Sequence, residues 1–280
     1  MSLTWGRRYL MCPPRYFEVA YEINPWMQSE VRLDRDLAHE QWDGLVATLT
    51  EAGAEVEILE PAPEVPDLVF TANAGVVNGT QFVPSRFRHP ERQLETPLDI
   101  AWFEAAGYQV TELPAGLDHE GAGDALPFGE TLICGYRWRS DIGASTALAA
   151  LTGASTRAIE LVDQRLYHFD LTFCPLDDRR AICAPVGWDS YGRRVIGDLV
   201  PEPLHLEDDE ALSFCANSVV VDQTVLMPAC PPRVGRRLEA WGFEVMVVDV
   251  SEFLKAGGGP RCLTLALDVV LGSRPHAPRR

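Results

Sequence analysis

Residues 215–250 read CANSVVVDQTVLMPACPPRVGRRLEAWGFEVMVVDV. A polar residue, Asn217, opens an apolar run. Asp222-Gln223 breaks that run as a turn, and TVLM returns. PPRVGRRLEAWG then places apolar residues at helical spacing and stops at a glycine, the residue suited to a left-handed helix end. FEVMVVDV follows as a short strand. The unit is therefore hairpin, helix, strand.

The same pattern recurs along the chain. Helix-to-glycine-to-strand segments occur at 37–59 (LAHEQWDGLVATLTEAG, AEVEIL), 97–113 (PLDIAWFEAAG, YQVTEL) and 142–162 (IGASTALAALTG, ASTRAIELV), with a weaker copy at 187–207. Hairpin segments occur at 72–84 (ANAGVVNGTQFVP, with a strong Asn-Gly turn signal), 121–136, 168–185, 215–229 and 259–271 (GPRCLTLALDVVL). A fixed period of this kind marks a repeat architecture. The residues opening the hairpins are Asn73, Asp124, Asp170, Asn217 and Cys262, recurring every 45–51 residues. If five units close around an axis, these polar groups meet at one end of it. The reading is an α/β repeat fold, one domain of five units over residues 1–280, with no Gly/Ser/Pro linker between units.

Composition narrows the function. The chain has 280 residues, 46% hydrophobic and 23% charged, with a net charge of -17. This is ordinary globular composition. The acidic balance argues against nucleic acid or an anionic membrane as partner and suits a cationic small molecule. The N-terminal MSLTWGRRYLMCPP lacks the apolar stretch of a signal peptide, and no run spans a membrane. Seven cysteines without a C-x-x-C point to free thiols in a reducing, cytoplasmic setting. Self-association is left open. The end of the chain, GSRPHAPRR (272–280), reads as a short polar tail.

The chemistry concentrates at a few positions. Cys262 follows Gly257-Gly258-Gly259-Pro260-Arg261, a run that lets a ligand approach the backbone. A nucleophilic cysteine needs a thiolate, so its pKa must fall or the substrate must bring positive charge. His168 and Asp170, two apart on a strand, would share one face and combine a general acid/base with a cation-binding carboxylate. His39, His89, His119, His205 and His276 read as surface or loop residues. Glu120-Gly121-Ala122-Gly123-Asp124 sets two acids around glycines. No phosphate loop, serine elbow or closely spaced metal-ligand cluster occurs, and no cofactor is implied. Asp124 and Asp170 could flank a planar guanidinium with bidentate hydrogen bonds, Cys262 attacking its carbon and His168 protonating the departing nitrogen.

These residues, with YEINPWM (21–27), PDLVFTANAG (66–75), EGAGDAL (120–126), GYRWRSD (135–141), YHFDLTFCPL (167–176), CANSVVV (215–221) and GGGPRCLTL (257–265), resemble the guanidino-group modifying enzymes of the pentein superfamily. The resemblance spans nearly the whole chain. It implies a five-bladed ββαβ propeller with its site on the axis. It implies Cys262 as nucleophile, His168 as general acid/base, Asp124 and Asp170 on the guanidinium, and Glu120 in support. It also implies Arg139 on the substrate carboxylate, with Arg86 or Arg92 as a second clamp. Dimethylargininases tend to carry acids where this chain has Ala72 and Asn73. Asn73, with Asn24, resembles instead the arginine dihydrolases, which convert arginine to ornithine, ammonia and carbon dioxide; Asn217 is counted with them among substrate contacts. Dimethylarginine hydrolysis and amidinotransfer are the alternative chemistries. The non-enzyme alternative is a binding propeller like the ribosome anti-association factors, which lack the Cys, His and Asp set.

Overall fold

The computed structural model describes residues 3–271. The repeat folds as five three-stranded sheets. In four of them a hairpin, a crossover helix and a third strand parallel to the second follow one another along the chain. Val219–Val221 and Thr224–Met227 pair antiparallel, the helix Pro232–Ala240 crosses over, and Glu244–Val247 adds in parallel. The equivalent sets are Gly75–Asn78, Gln81–Pro84 and Gln109–Val110; Ala125–Phe128, Thr131–Tyr136 and Ser155–Glu160; and Phe173–Pro175, Arg180–Cys183 and Glu202–His205. The architecture is the pseudo-five-fold α/β propeller of the pentein type.

Local chemistry explains the elements. The two-residue hairpin loops need a positive φ at their first position, which Gly79, Gly129 and Asp222 supply at 59°, 56° and 51°. Asp34 caps the helix Arg35–Glu51 by accepting from Leu37 N, and Trp42, Leu45 and Leu49 bury one stripe of it. In every unit the third strand is the most exposed and the hairpin strands are mostly buried, as in Glu244–Val247 against Val219–Val221. The hairpin openings thus converge inward.

The fifth sheet departs from the expectation. The segment 259–271 supplies only Leu265–Ala266, with no return strand of its own; the N-terminal Arg8–Met11 takes that place, antiparallel to it and parallel to Glu55–Ile58. The two ends of the chain complete one blade. This closes the ring, because an isolated two-residue strand would leave its backbone unpaired.

The five openings are joined in a circle of hydrogen bonds. Asn73 Nδ2 donates to Glu120 O (3.1 Å), and Phe169 N donates to Asp124 Oδ1 (3.0 Å). Asn217 Nδ2 donates to Asp170 O (3.2 Å), and Cys262 N donates to Asn217 Oδ1 (3.3 Å). Ala72 N returns to Cys262 O (3.1 Å). No helix among the described residues is long and apolar enough to cross a membrane. His276 and the 272–280 end lie outside the described residues.

Candidate active site

Three of the openings are tight helical turns rather than strands. Thr71–Asn73 and Phe169–Leu171 are 3-10 turns, and Gly121–Asp124 is a single α-turn. The strand expected to align His168 with Asp170 is therefore absent. The turn arises because Leu171 N and Thr172 N fold back onto His168 O and Phe169 O. His168 turns to Glu120, whereas Asp170 turns to Cys262.

Cys262 is buried, with Sγ 3.1 Å from Asn217 Nδ2 and 3.4 Å from Asp170 Oδ2. Burial, then the Asp170 charge, pushes its thiol well above the ordinary range, which favours the protonated form. Three glycines shape its loop. Gly257 adopts φ 85°, and a Cβ at Gly258 would meet the Phe70 ring at 2.3 Å. Asn217 Oδ1 takes the N–H groups of Gly259 and Cys262 (3.1 and 3.3 Å), so both ends of its amide are spent on the cysteine loop and the Asp170 turn.

His168 Nε2 lies 2.9 Å from Glu120 Oε2, which also accepts from Arg139 Nη1 at 2.9 Å. Burial raises Glu120, but Arg139 and His168 outweigh it and leave the carboxyl well below the usual range. Burial lowers His168 to about 4 despite Glu120. A neutral ring beside an ionised Glu120 carries its proton on Nε2, leaving Nδ1 as the basic nitrogen. Arg139 also donates to Ile23 O (3.0 Å) and lies over the Tyr167 ring.

Arg92 forks onto Glu95 (2.7 and 2.7 Å) and donates to Asn73 Oδ1 at 2.9 Å. Asn24 is spent largely on backbone: Trp26 N and Met27 N donate to its Oδ1, and its Nδ2 donates to Ala256 O. Asn24, Asp67, Asn73, Arg92, Arg139, Tyr167 and Cys262 line one narrow cleft. Arg86 is not in it.

Five carboxylate oxygens are buried with no hydrogen-bond partner among the described residues: both of Asp99, which does not line the cleft, and Asp67 Oδ1, Glu120 Oε1 and Asp170 Oδ1. Asp124 differs: Oδ2 accepts from Ser140 Oγ (2.6 Å) and Oδ1 from Phe169 N. Each oxygen of this expected guanidinium ligand thus already accepts one hydrogen bond within the protein. Asp67 was missed by the sequence reading. An acid inside the apolar run PDLVF was its signal, and it is buried beside Arg92 at 3.8 Å. His119, expected at the surface, is buried next to Glu120 with Nε2 unpartnered, because its backbone pairs with Arg86 and draws it inward.

No family model matches the chain. The chain is 42% identical over 275 residues to the bifunctional arginine dihydrolase/ornithine cyclodeaminase AgrE of Nostoc sp., covering 96% of this chain but 39% of that protein. It is 36% identical to the N(G),N(G)-dimethylarginine dimethylaminohydrolase of Mycobacterium tuberculosis, covering 93% of this chain and 86% of that one. A substrate-bound cysteine-to-serine variant of the N-terminal domain of ArgZ, a cyanobacterial arginine dihydrolase, superposes with a TM-score of 0.91 at 40% identity, over 95% of this chain and 98% of that domain. With a five-sheet propeller whose axis gathers a cysteine, a histidine and unpaired buried carboxylates, the chain belongs to the guanidino-group modifying enzymes of the pentein superfamily.

Proposed function

We propose that the chain hydrolyses the guanidino group of arginine through a covalent thiouronium on Cys262, and that it carries the reaction on to ornithine. The observation that carries this reading is the set of unpartnered buried oxygens on Asp67, Glu120 and Asp170. Buried unpaired carboxylates are costly. A guanidinium has five N–H donors in one plane and positive charge, and it satisfies such a set. The clamp for the substrate α-carboxylate is then Arg139 and Arg92, which line the cleft with Asp67 and Cys262.

The resting thiol is activated by the substrate itself. A guanidinium beside Asp170 offsets the carboxylate charge that holds the Cys262 proton and supplies a cation for the thiolate. Sγ bonds to the guanidinium carbon. His168 Nδ1 accepts the thiol proton and delivers it to the departing nitrogen, which leaves as ammonia. Water, deprotonated by the same nitrogen, adds to the thiouronium and frees citrulline and Cys262. In a second round the thiol attacks the ureido carbon. A second ammonia leaves, and water releases a carbamate that falls apart to ornithine and carbon dioxide. Overall, arginine and two waters give ornithine, two ammonia and carbon dioxide.

Asn73 is the feature that favours the second round. A neutral amide binds a ureido group as well as a guanidinium, whereas a carboxylate favours the cation. Arg92 and Glu120 O fix the orientation of this amide. A side chain at Gly123 would reach it, a Cβ there lying 2.3 Å from Asn73 Nδ2. The arginine dihydrolase AgrE supports the reading by its 42% identity. The mycobacterial dimethylarginine hydrolase keeps the alternative of methylated arginine yielding citrulline. Mass spectrometry of products from arginine, monomethylarginine and dimethylarginine separates the two. Ornithine from arginine is the expected result. Citrulline alone from arginine, with added citrulline untouched, sinks the second round.

A further inference from the structure

Arg86 is left without a task by the cleft. It lines a separate cavity of about 760 Å³ between the strand end at Pro84, the helix Glu95–Ala105 and the segment 112–118. Its Nε and the neighbouring Ser85 Oγ are buried without a hydrogen-bond partner among the described residues. The only Arg86 side-chain hydrogen bond among them is a long one, Nη2 to Leu113 O at 3.4 Å. Partly exposed and held by the protein only through that long bond, this cation favours an anionic ligand.

The rest of the lining sets the ligand's other features. Phe87, Ile100 and Leu113 provide an apolar wall, and Glu104 and Glu112 bring exposed carboxylates that form no ion pair among the described residues. A cation, an apolar wall and free carboxylates in one cavity match a zwitterion with a hydrocarbon body. We propose that this cavity binds a free α-amino acid with an apolar side chain. Its carboxylate meets Arg86, its ammonium meets Glu104 or Glu112, and its side chain lies on Phe87, Ile100 and Leu113.

The cavity shares two walls with the active-site machinery. Arg86 and His119 exchange backbone hydrogen bonds (2.9 and 3.0 Å), and His119 immediately precedes Glu120. The Phe87 ring sits 4.5 Å from the Arg92 guanidinium that holds Asn73. An occupant therefore bears on both Glu120 and Asn73, giving the site a route to regulation by an amino acid.

The test is calorimetric titration of the full chain, which reads binding and not turnover. The probes are L-leucine, 4-methylpentanoate (no ammonium) and 3-methylbutylamine (no carboxylate). L-leucine is expected to bind saturably, and each truncated probe about tenfold more weakly for its lost charge-assisted bond. Arg86→Gln is expected to weaken L-leucine about tenfold. Ala101→Trp fills the cavity from an exposed helix position and is expected to abolish binding with the melting temperature unchanged. Absence of L-leucine binding overturns the proposal. So does unchanged binding in the well-folded Ala101→Trp variant, or equal binding of all three probes.

Discussion

Replacing Glu120 with glutamine removes one charge from a site where a single oxygen serves two partners. Glu120 Oε2 accepts from Arg139 Nη1 and from His168 Nε2, each at 2.9 Å, and all three side chains are almost fully buried. In Glu120→Gln an amide oxygen still accepts from Arg139, but the buried cation loses its counter-charge and keeps only neutral acceptors, this amide and Ile23 O. Breaking a buried pair from one side costs about 3 kcal/mol, a fall in Tm of about 6–12 °C for a chain of this size. The variant also deprives His168 of the anion that orients its ring, and loss of a positioned acid/base costs about 10²–10⁴ in rate. The two effects separate in a cycle. Glu120→Gln/Arg139→Met removes the stranded cation, so thermal scanning should recover most of the lost Tm, while ammonia release from arginine stays depressed. If Glu120→Gln melts like the wild type and turns over within a few-fold of it, neither the ion pair nor the histidine alignment has the role assigned to it.

Three further outcomes follow from the geometry. Asn73→Asp places a carboxylate on Arg92 in place of the neutral amide, and chromatography of the products should show citrulline accumulating from arginine at the expense of ornithine. Burial lowers His119 to about 4 from an ordinary 6.5. Its contribution is therefore complete above pH 6.5 and is lost as pH falls toward 4, up to about 3 kcal/mol. Urea unfolding should show His119→Gln losing that part of the acid sensitivity, and an identical pH profile in both proteins would refute it. Gly258→Ala drives a methyl into the Phe70 ring at 2.3 Å. It should cost about 1–3 kcal/mol and displace the Cys262 loop, lowering kcat more than it raises KM.

Much of the fold was legible because each unit carries its own local signals. The helix stripe of Trp42, Leu45 and Leu49, the turn residues Gly79, Gly129 and Asp222, and the spacing of the polar openings all act over a few residues. The blade made from Arg8–Met11 and Leu265–Ala266 was not legible, because its partners lie at opposite ends of the chain and the short strands have no pattern of their own. The same limit applies to the histidines. Nothing near His119 in sequence announces burial; the pairing of its backbone with Arg86, 33 residues earlier, decides it.

At the site, repeat register singled out Asn73, Asp124, Asp170, Asn217 and Cys262 as candidates, since polar groups that arrive once per unit gather where the units meet; His168 came from its spacing to Asp170, and Glu120 from the family resemblance. Their division of labour required the tertiary structure. Asp124 shares the register, yet Ser140 and Phe169 occupy its oxygens. Asp67 lies outside the register, yet it keeps an unpaired buried oxygen. Arg92 and Arg86 read alike in the chain; one faces the cleft and pins Asn73, the other faces a different cavity. A sequence specifies which groups are brought to the axis through short-range turns. Which of their lone pairs remain for a substrate depends on the other four blades, because a hydrogen bond is assigned only when both partners are in place.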